Sequence, residues 1–534
     1  MYHQLIRNKY FEIKNLGGIG MKQQKLWILV LLFSLFILSA CTANTNVDDS
    51  TSNIANTSED EIVIAFESDA ETLLPNTAIN NVNDIQIRNI YDPLINRDEN
   101  GELIPALATD WKAIDENTWE FTLREGVTFH NGEAFNAEAV KFNIEYILDE
   151  NNKSYYRTAY ADLKEVKIID DHKFQLITKQ PNPEFIHRLA DSLLIMEPTY
   201  VKDVGFEEAA RNPIGTGPYK FVEWKRDQQL QLTAFDDYWQ GKPGIKNVTY
   251  KFIPEFSSRL SAFLSGEVDV IKNVPVDSVD KVKGTPGKRI ETINSSRVNF
   301  LALNNYYDGP LKDQRVRQAI NYAIDVDELL NQILNGYGKK ITGPLAEVNS
   351  AYTETKDYGY DPEKAIKLLE EAGYKPSDLT LQLDTPNGRY PMDTYVAQGI
   401  QSQLSKIGIK VEIQVNEWGN HLTRIQQKEV KDMFILGWGL GFVPRSTIES
   451  TLAKNGTYSG FYDEELEKMI THAINTFEEK ESQQAWEDVQ HRVAELAAWV
   501  PLWQQADVYG ISESLNFHPR VDERLLVYDM SWNQ

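Results

Sequence analysis

Cysteine occurs once in the 534 residues, at Cys41, so no internal disulfide can form and the fold must rest on a packed core. Histidine is sparse: His3, His130, His172, His187, His421, His472, His491 and His518 are scattered, with no HExxH and no pair one helical turn apart. No metal cluster and no cofactor is therefore expected. GxSxG is absent and no thiol nucleophile is available, so the chain is not expected to be an enzyme. With 79 acidic residues, any glycosidase-like carboxylate pair would be an arbitrary choice. Basic charge is also short: 54 Lys and Arg leave a net charge of −25, and residues 1–40, with five basic residues and one acid, leave the remainder near −29. Such a chain repels nucleic acid and anionic surfaces. Long apolar runs are missing too. The longest, Leu26–Leu38, is broken only by Ser34; its 13 residues fall short of the roughly 20 that span a bilayer.

That run follows Lys22 and Lys25 and precedes Ser39 and Ala40, the pattern of a secretory signal. The residues LSAC resemble the bacterial lipobox, which implies acylation of Cys41 and a lipid anchor on the extracytoplasmic face of the cell membrane. LGGIG just before Met21 is what a purine-rich ribosome-binding site would encode, so synthesis is expected to start at Met21. Residues 1–20 then count as a mis-assigned start, 21–40 as the signal peptide and 41–59, rich in Ser, Thr, Asn and Asp, as a flexible tether.

What remains is rich in material for a core, with 42% apolar residues and 11 Trp, 25 Tyr and 22 Phe in the chain, enough for two or more lobes. EIVIAFES (61–68) alternates apolar and polar residues and leads into a polar loop. LTLQLDT (379–385), the loop NGRYPMD, a helical stretch ending at Gly408 and IKVEIQV (409–415) form a strand, loop, helix, strand unit, the mark of a parallel sheet. DPEKAIKLLEEAGY predicts a helix capped by Asp361, with Pro362 in its first turn and Gly373 beyond its end. DVDELLNQILNGYG predicts another, with a capping box from Asp325 to Glu328 and a closing Gly336. The fold class is α/β.

KDMFILGW reads as a further strand, delivering the chain into Gly437, Trp438, Gly439 and Gly441. In open α/β sheets ligands bind at the carboxyl ends of strands. Three loops meet that condition: Ser68 and Asp69 after the first strand, Asn387, Arg389 and Tyr390 after LTLQLDT, and the GWGLGFVPRS segment. A phosphate loop would need a complete glycine motif running into a helix; GxGxG followed by Pro444, with no lysine, does not supply one. The glycines read instead as a pocket wall. The pair in NPIGTGPYKFVEW (212–224) precedes a strand and reads as a turn.

Several stretches in order, among them IYDPLINRDENGELIPALATDWK (90–112), WEFTLREGVTFHNGEAFNAEAVKFN (119–143), NPIGTGPYKFVEW, DYWQGKPGIKNVTYKFIPE (237–255), FLSGEVDVI (263–271) and RVRQAINYAID (315–325), resemble the extracytoplasmic solute-binding proteins of ABC importers for peptides, glutathione and nickel. The resemblance runs from about Glu61 to Pro501. It implies a two-lobed type II periplasmic-binding fold with an extra subdomain in the first lobe and a hinge crossed twice, near Asn294–Arg297 and near Gln504–Val508. Its divisions would be lobe I at 60–95, the extra subdomain at 96–214, lobe I again at 215–296, lobe II at 297–505 and a return to lobe I at 506–534. The protein would be a monomer that closes on its ligand and docks on membrane permease subunits.

The resemblance also implies a peptide-type ligand, but the acidic residue with which peptide-binding relatives hold an amino group after the tryptophan is replaced by Phe442, Val443, Pro444 and Arg445. NGRYPMDTYVAQGIQSQLSKIGIKVEI looks most like the glutathione branch. Glutathione carries two carboxylates, which Arg445 and Arg389 could hold bidentately. Each arginine can equally be half of a surface ion pair, Trp438 can be core rather than ligand platform, and Ser68 and Asp69 can be local caps. A nickel-chelate receptor of the same family, or a peptide receptor or chaperone feeding no importer, stay open.

Overall fold

The computed structural model describes residues 60–77, 81–439 and 441–533; the signal, Cys41 and the tether lie outside them. Ten strands follow one path through the main sheet: β1 (Glu61–Phe66), β2 (Tyr219–Lys225), β3 (Gln229–Ala234), β4 (Asn247–Phe252), β5 (Val270–Ile271), β6 (Lys288–Leu303), β7 (Thr380–Pro386), β8 (Lys410–Asn416), β9 (Met433–Trp438) and β10 (Trp499–Ser512). Their order across the sheet is β8-β7-β9-β6-β10-β5-β1-β4-β3-β2, and Lys339–Lys340 adds a short eleventh strand on β10.

Alternation in the sequence explains the outer strands. Leu381 and Leu383 of β7 are fully buried, and β7 runs parallel to both β8 and β9. The intervening helix, Asp393–Lys406, supplies the crossover and ends before Gly408, whose φ of 92° favours glycine. The other helix signals hold as well: Asp361 accepts from the Lys364 amide and Asp325 from that of Glu328. On the other side, Ile62, Ile64 and Phe66 of β1 enter one core while Ala65 enters a second beneath helix Phe256–Leu264.

β6 and β10 are unusually long, 16 and 14 residues, and pair antiparallel along most of their length. They tie the half of the sheet made by β1–β5 to the half made by β7–β9. Their ladder loses register between Asn294 and Val298 and again between Asn299 and Phe300, so regular pairing is weakest where the two lobes meet. The two-lobed type II fold with its hinge crossed twice is thus present. A separate four-stranded antiparallel sheet, built from 108–123 and 163–178, belongs to the first lobe, and Phe121 stacks on Phe174 in its core at 4.9 Å.

One element escapes the sequence reading. The segment after the glycines does enter a helix, Pro444–Thr451, with the proline in its first turn, where the fixed φ and missing N–H cost nothing. No helix among the described residues is long and apolar enough to cross a membrane.

Candidate functional site

The loop after β7 is folded by one carboxylate. Asp393 accepts from the amides of Gly388 (3.1 Å), Arg389 (2.9 Å) and Tyr390 (3.2 Å), satisfying donors that a tight loop would otherwise leave bare. Asn387 is exposed on its rim, and Arg389 is half-buried beside the rings of Tyr390 and Trp418, 5.2 and 5.3 Å from their centroids. Arg389 makes no ion pair and no side-chain hydrogen bond to the described residues. Burial, then the like charge of Arg297, lower the pKa of its guanidinium.

Tyr390, expected beside a ligand, is engaged by the protein's own backbone. It is 6% exposed, and its hydroxyl accepts from the Gly437 amide at 2.8 Å while donating to the Gly437 carbonyl at 3.2 Å. This explains the first glycine of the quoted segment. A Cβ there would lie 2.7 Å from Tyr390 Cε1 and 2.6 Å from Asn299 Oδ1. Gly439 is explained in the same way, since its Cβ would lie 2.8 Å from Arg297 Nη2. At both positions the space that a Cβ would fill is taken by the protein's own side chains.

Arg297 belongs to a buried ionic group that the sequence did not betray. Its Nε donates to Glu523 Oε1 at 3.0 Å and its Nη1 to the Gly437 carbonyl at 3.3 Å. Lys272 approaches the same carboxylate at 3.5 Å and donates to the Glu523 carbonyl. Burial pushes Glu523 upward, but Arg297, Lys272 and Arg389 outweigh it and hold the carboxyl down to about 2. Burial and the neighbouring Glu523 push Asp507 up to about 6. Glu523 has φ of 63°, left-handed backbone at a bulky residue, the kind of strain that persists only where surrounding contacts enforce it. The amide of Ser296, at the register break, donates to the Val521 carbonyl, so this segment braces the hinge itself.

Arg445, the other expected carboxylate anchor, is ion-paired within the protein. It lies in the first turn of helix Pro444–Thr451 and donates to Glu449 one turn on at 2.9 Å, with Asp162 at 3.8 Å. Beside it, burial pushes the Glu184 carboxyl up to about 7. Phe442 lies under the Arg97 guanidinium, 4.2 Å from its centroid, tight against Gly101. The FVPR segment is therefore tied to Arg97, Gly101 and Asp162, far earlier in the chain.

Trp438 lies on the sheet face opposite to Gly437 and Tyr390, half-buried against Tyr458 at 5.5 Å in a core that includes Phe300 and Trp499. Asp69 latches its loop to the neighbouring strands: it accepts from Trp224 Nε1 (2.8 Å) and the Asp227 amide (2.9 Å), with Arg226 at 3.5 Å. Ser68 beside it is exposed. Of the residues singled out from sequence, Arg389 is the half-buried charged group with no ion pair to the described residues. Among the described residues no group of three or more His, Cys, Asp or Glu is placed to hold a metal ion.

Comparison with known proteins agrees with this architecture. The model of the bacterial extracellular solute-binding proteins, family 5, middle region, matches residues 102–459. A glutathione-binding protein of Pectobacterium atrosepticum is 27% identical over 473 residues, 85% of this chain and 90% of that protein. An oligopeptide-binding protein of Bacillus subtilis is 27% identical over 541 residues, 94% and 98% of the two chains. Among solved structures, an ABC transporter substrate-binding protein of Listeria monocytogenes superposes with a TM-score of 0.82 at 24% identity, covering 89% of this chain and 99% of that one. The chain belongs to the family 5 extracellular solute-binding proteins.

Proposed function

We propose that the protein is the substrate-binding component of an ABC importer, anchored by acylated Cys41 outside the cytoplasmic membrane, and that it captures a short peptide or glutathione between its lobes. The lobes, divided near Asn294–Arg297 and Gln504–Val508, close on the ligand and the closed form is recognised by the permease. The observation that carries the ligand class is Arg389: a half-buried guanidinium at a strand's carboxyl end, flanked by aromatic rings, within electrostatic reach of Glu523 and Glu67 but in direct ion pair with no described residue. A ligand carboxylate would complete it with two parallel hydrogen bonds. Relatives named for glutathione and for oligopeptides support a ligand of this kind. Arg445 and Tyr390 have no ligand role in this reading; Asn387 and Ser68 form the rim.

Thermal unfolding of the protein with glutathione, tri-alanine and nickel in separate wells tests it. A ligand bound only by the native state stabilises by about 2.7 kcal/mol at a hundredfold excess over its Kd. A shift with glutathione or tri-alanine that disappears in Arg389→Ala supports the reading, and a shift with nickel alone contradicts it.

A further inference from the structure

The floor of the hinge carries a row of charges that begins in one lobe and ends in the other. Glu67 follows β1, whose Ala65 pairs with Ile271 of β5. Lys272 comes next after Ile271 and contacts Glu523, Glu523 holds Arg297, and Arg297 shares the Gly437 carbonyl with the Tyr390 hydroxyl beside Arg389. The interior members are paired with one another. The two ends are not: Glu67, like Arg389, makes no ion pair and no side-chain hydrogen bond to the described residues, and both are half-buried.

Glu67 is nonetheless held in place. On one side the Phe66 carbonyl accepts from the Ile253 amide at 2.8 Å, and on the other Asp69 is fastened to Trp224 and Asp227. The cation of its own lobe that acts on it is Arg259, whose Nη1 donates to the carbonyls of Ile253 and Pro254 at 2.7 and 2.6 Å and whose buried Nε has no hydrogen-bond partner, so that it acts on Glu67 without a direct ion pair. The charge of Glu67 also reaches Arg389 in the other lobe. Glu67 shares the face of β1 with Val63 and Ala65, whose core is joined by Tyr337; the preceding helix, Val326–Ile333, packs in the core of Tyr390. Glu67 and Arg389 therefore lie on one side of the continuous sheet.

A half-buried carboxylate and a half-buried guanidinium, one per lobe and each carried on braced backbone, are costly to leave without a direct partner. We infer that Glu67 is the second anchor of the cleft: its carboxylate receives the ammonium group of a zwitterionic ligand whose carboxylate lies on Arg389. The inference rests on the ligand reading given above and deepens it. It supplies from the first lobe the acid that the Phe442–Arg445 segment lacks, and it makes the ligand's own two charges the link that draws the lobes together. The ligand class is then a short peptide or peptide-like molecule with a free amine as well as a free carboxylate.

Calorimetric titration with tri-alanine, N-acetyl-tri-alanine, tri-alanine amide, glutathione and N-acetylglutathione separates the two charges. In the wild type, acetylation weakens binding by about tenfold or more, as expected for a desolvated charge pair losing one partner. In Glu67→Gln that penalty falls to about twofold or less while the amide penalty persists. Glu67→Asp, which keeps the charge, recovers part of the acetylation penalty and shows that the loss is not one of folding. An acetylation penalty of undiminished size in Glu67→Gln, or free and acetylated ligands binding the wild type equally, overturns the role of Glu67 while leaving peptide capture intact. Failure of every probe to bind the wild type overturns both.

Discussion

Arg389 and Arg445 stand after neighbouring strands, β7 and β9, and each has an acid four residues on, Asp393 and Glu449. Their fates are opposite. Arg445 lies inside a helix, where positions four apart stack on one face, and so it pairs with Glu449. Arg389 lies in the loop ahead of its helix, so Asp393 turns back onto three backbone amides instead. The same spacing thus neutralises one arginine and exposes the charge of the other. Spacing alone does not identify an ion pair; the backbone conformation between the two residues decides.

The largest effect that sharpens this contrast is on binding. Arg389→Ala is expected to weaken glutathione or tri-alanine binding by about 30-fold or more, whereas Arg445→Ala leaves affinity within about threefold; calorimetry on both variants checks it. Equal losses would abolish the distinction. Next comes Gly437→Ala, whose methyl would press on Tyr390 and Asn299. Overpacking of this kind costs about 1–3 kcal/mol, read by urea unfolding, and displacing Tyr390 also lowers affinity through Arg389.

A pH effect belongs to the Arg445 side. Glu184, partly buried, has its carboxyl pushed up to about 7, against about 4.3 for an unfolded glutamate. The folded state therefore takes up the proton first, and stability rises as pH falls from about 8 towards 4.3, by about 1 kcal/mol after allowance for solvent. Glu184→Gln removes this part of the slope. Asp507, raised to about 6, leaves its own part in both proteins, so the difference between the two unfolding profiles isolates Glu184. The smallest effect is the stability cost of Arg445→Ala itself, about 0.5–1 kcal/mol for a pair exposed on one side.

Much of the fold was legible because its signals are local. Period-two alternation marked β1, β7 and β8, and Asp361, Asp325, Gly373 and Gly408 marked helix ends. The hinge irregularity at Asn294–Val298 was readable only through resemblance, since nothing local distinguishes that stretch of β6. Arg389 could be singled out because it follows a strand. What local pattern could not supply was the partner of each polar group: Asp69 meets Trp224, Tyr390 meets Gly437 and Arg297 meets Glu523, all far apart in sequence. Arg520–Arg524, with four charges in five residues, has the composition of solvated surface, yet Arg520, Asp522, Glu523 and Arg524 are all buried. Opposite charges from Asp84, Arg297 and Lys272 make that burial tolerable.

The most direct test of the central claim, that Arg389 and not Arg445 holds the ligand's carboxylate, is arginine-specific labelling with phenylglyoxal, read by peptide mass spectrometry with and without saturating tri-alanine. Arg389 should be labelled in the free protein and protected by the peptide, but not by its amide at the same concentration, while labelling of Arg445 stays unchanged. Protection of Arg445 with Arg389 still reactive would contradict the account.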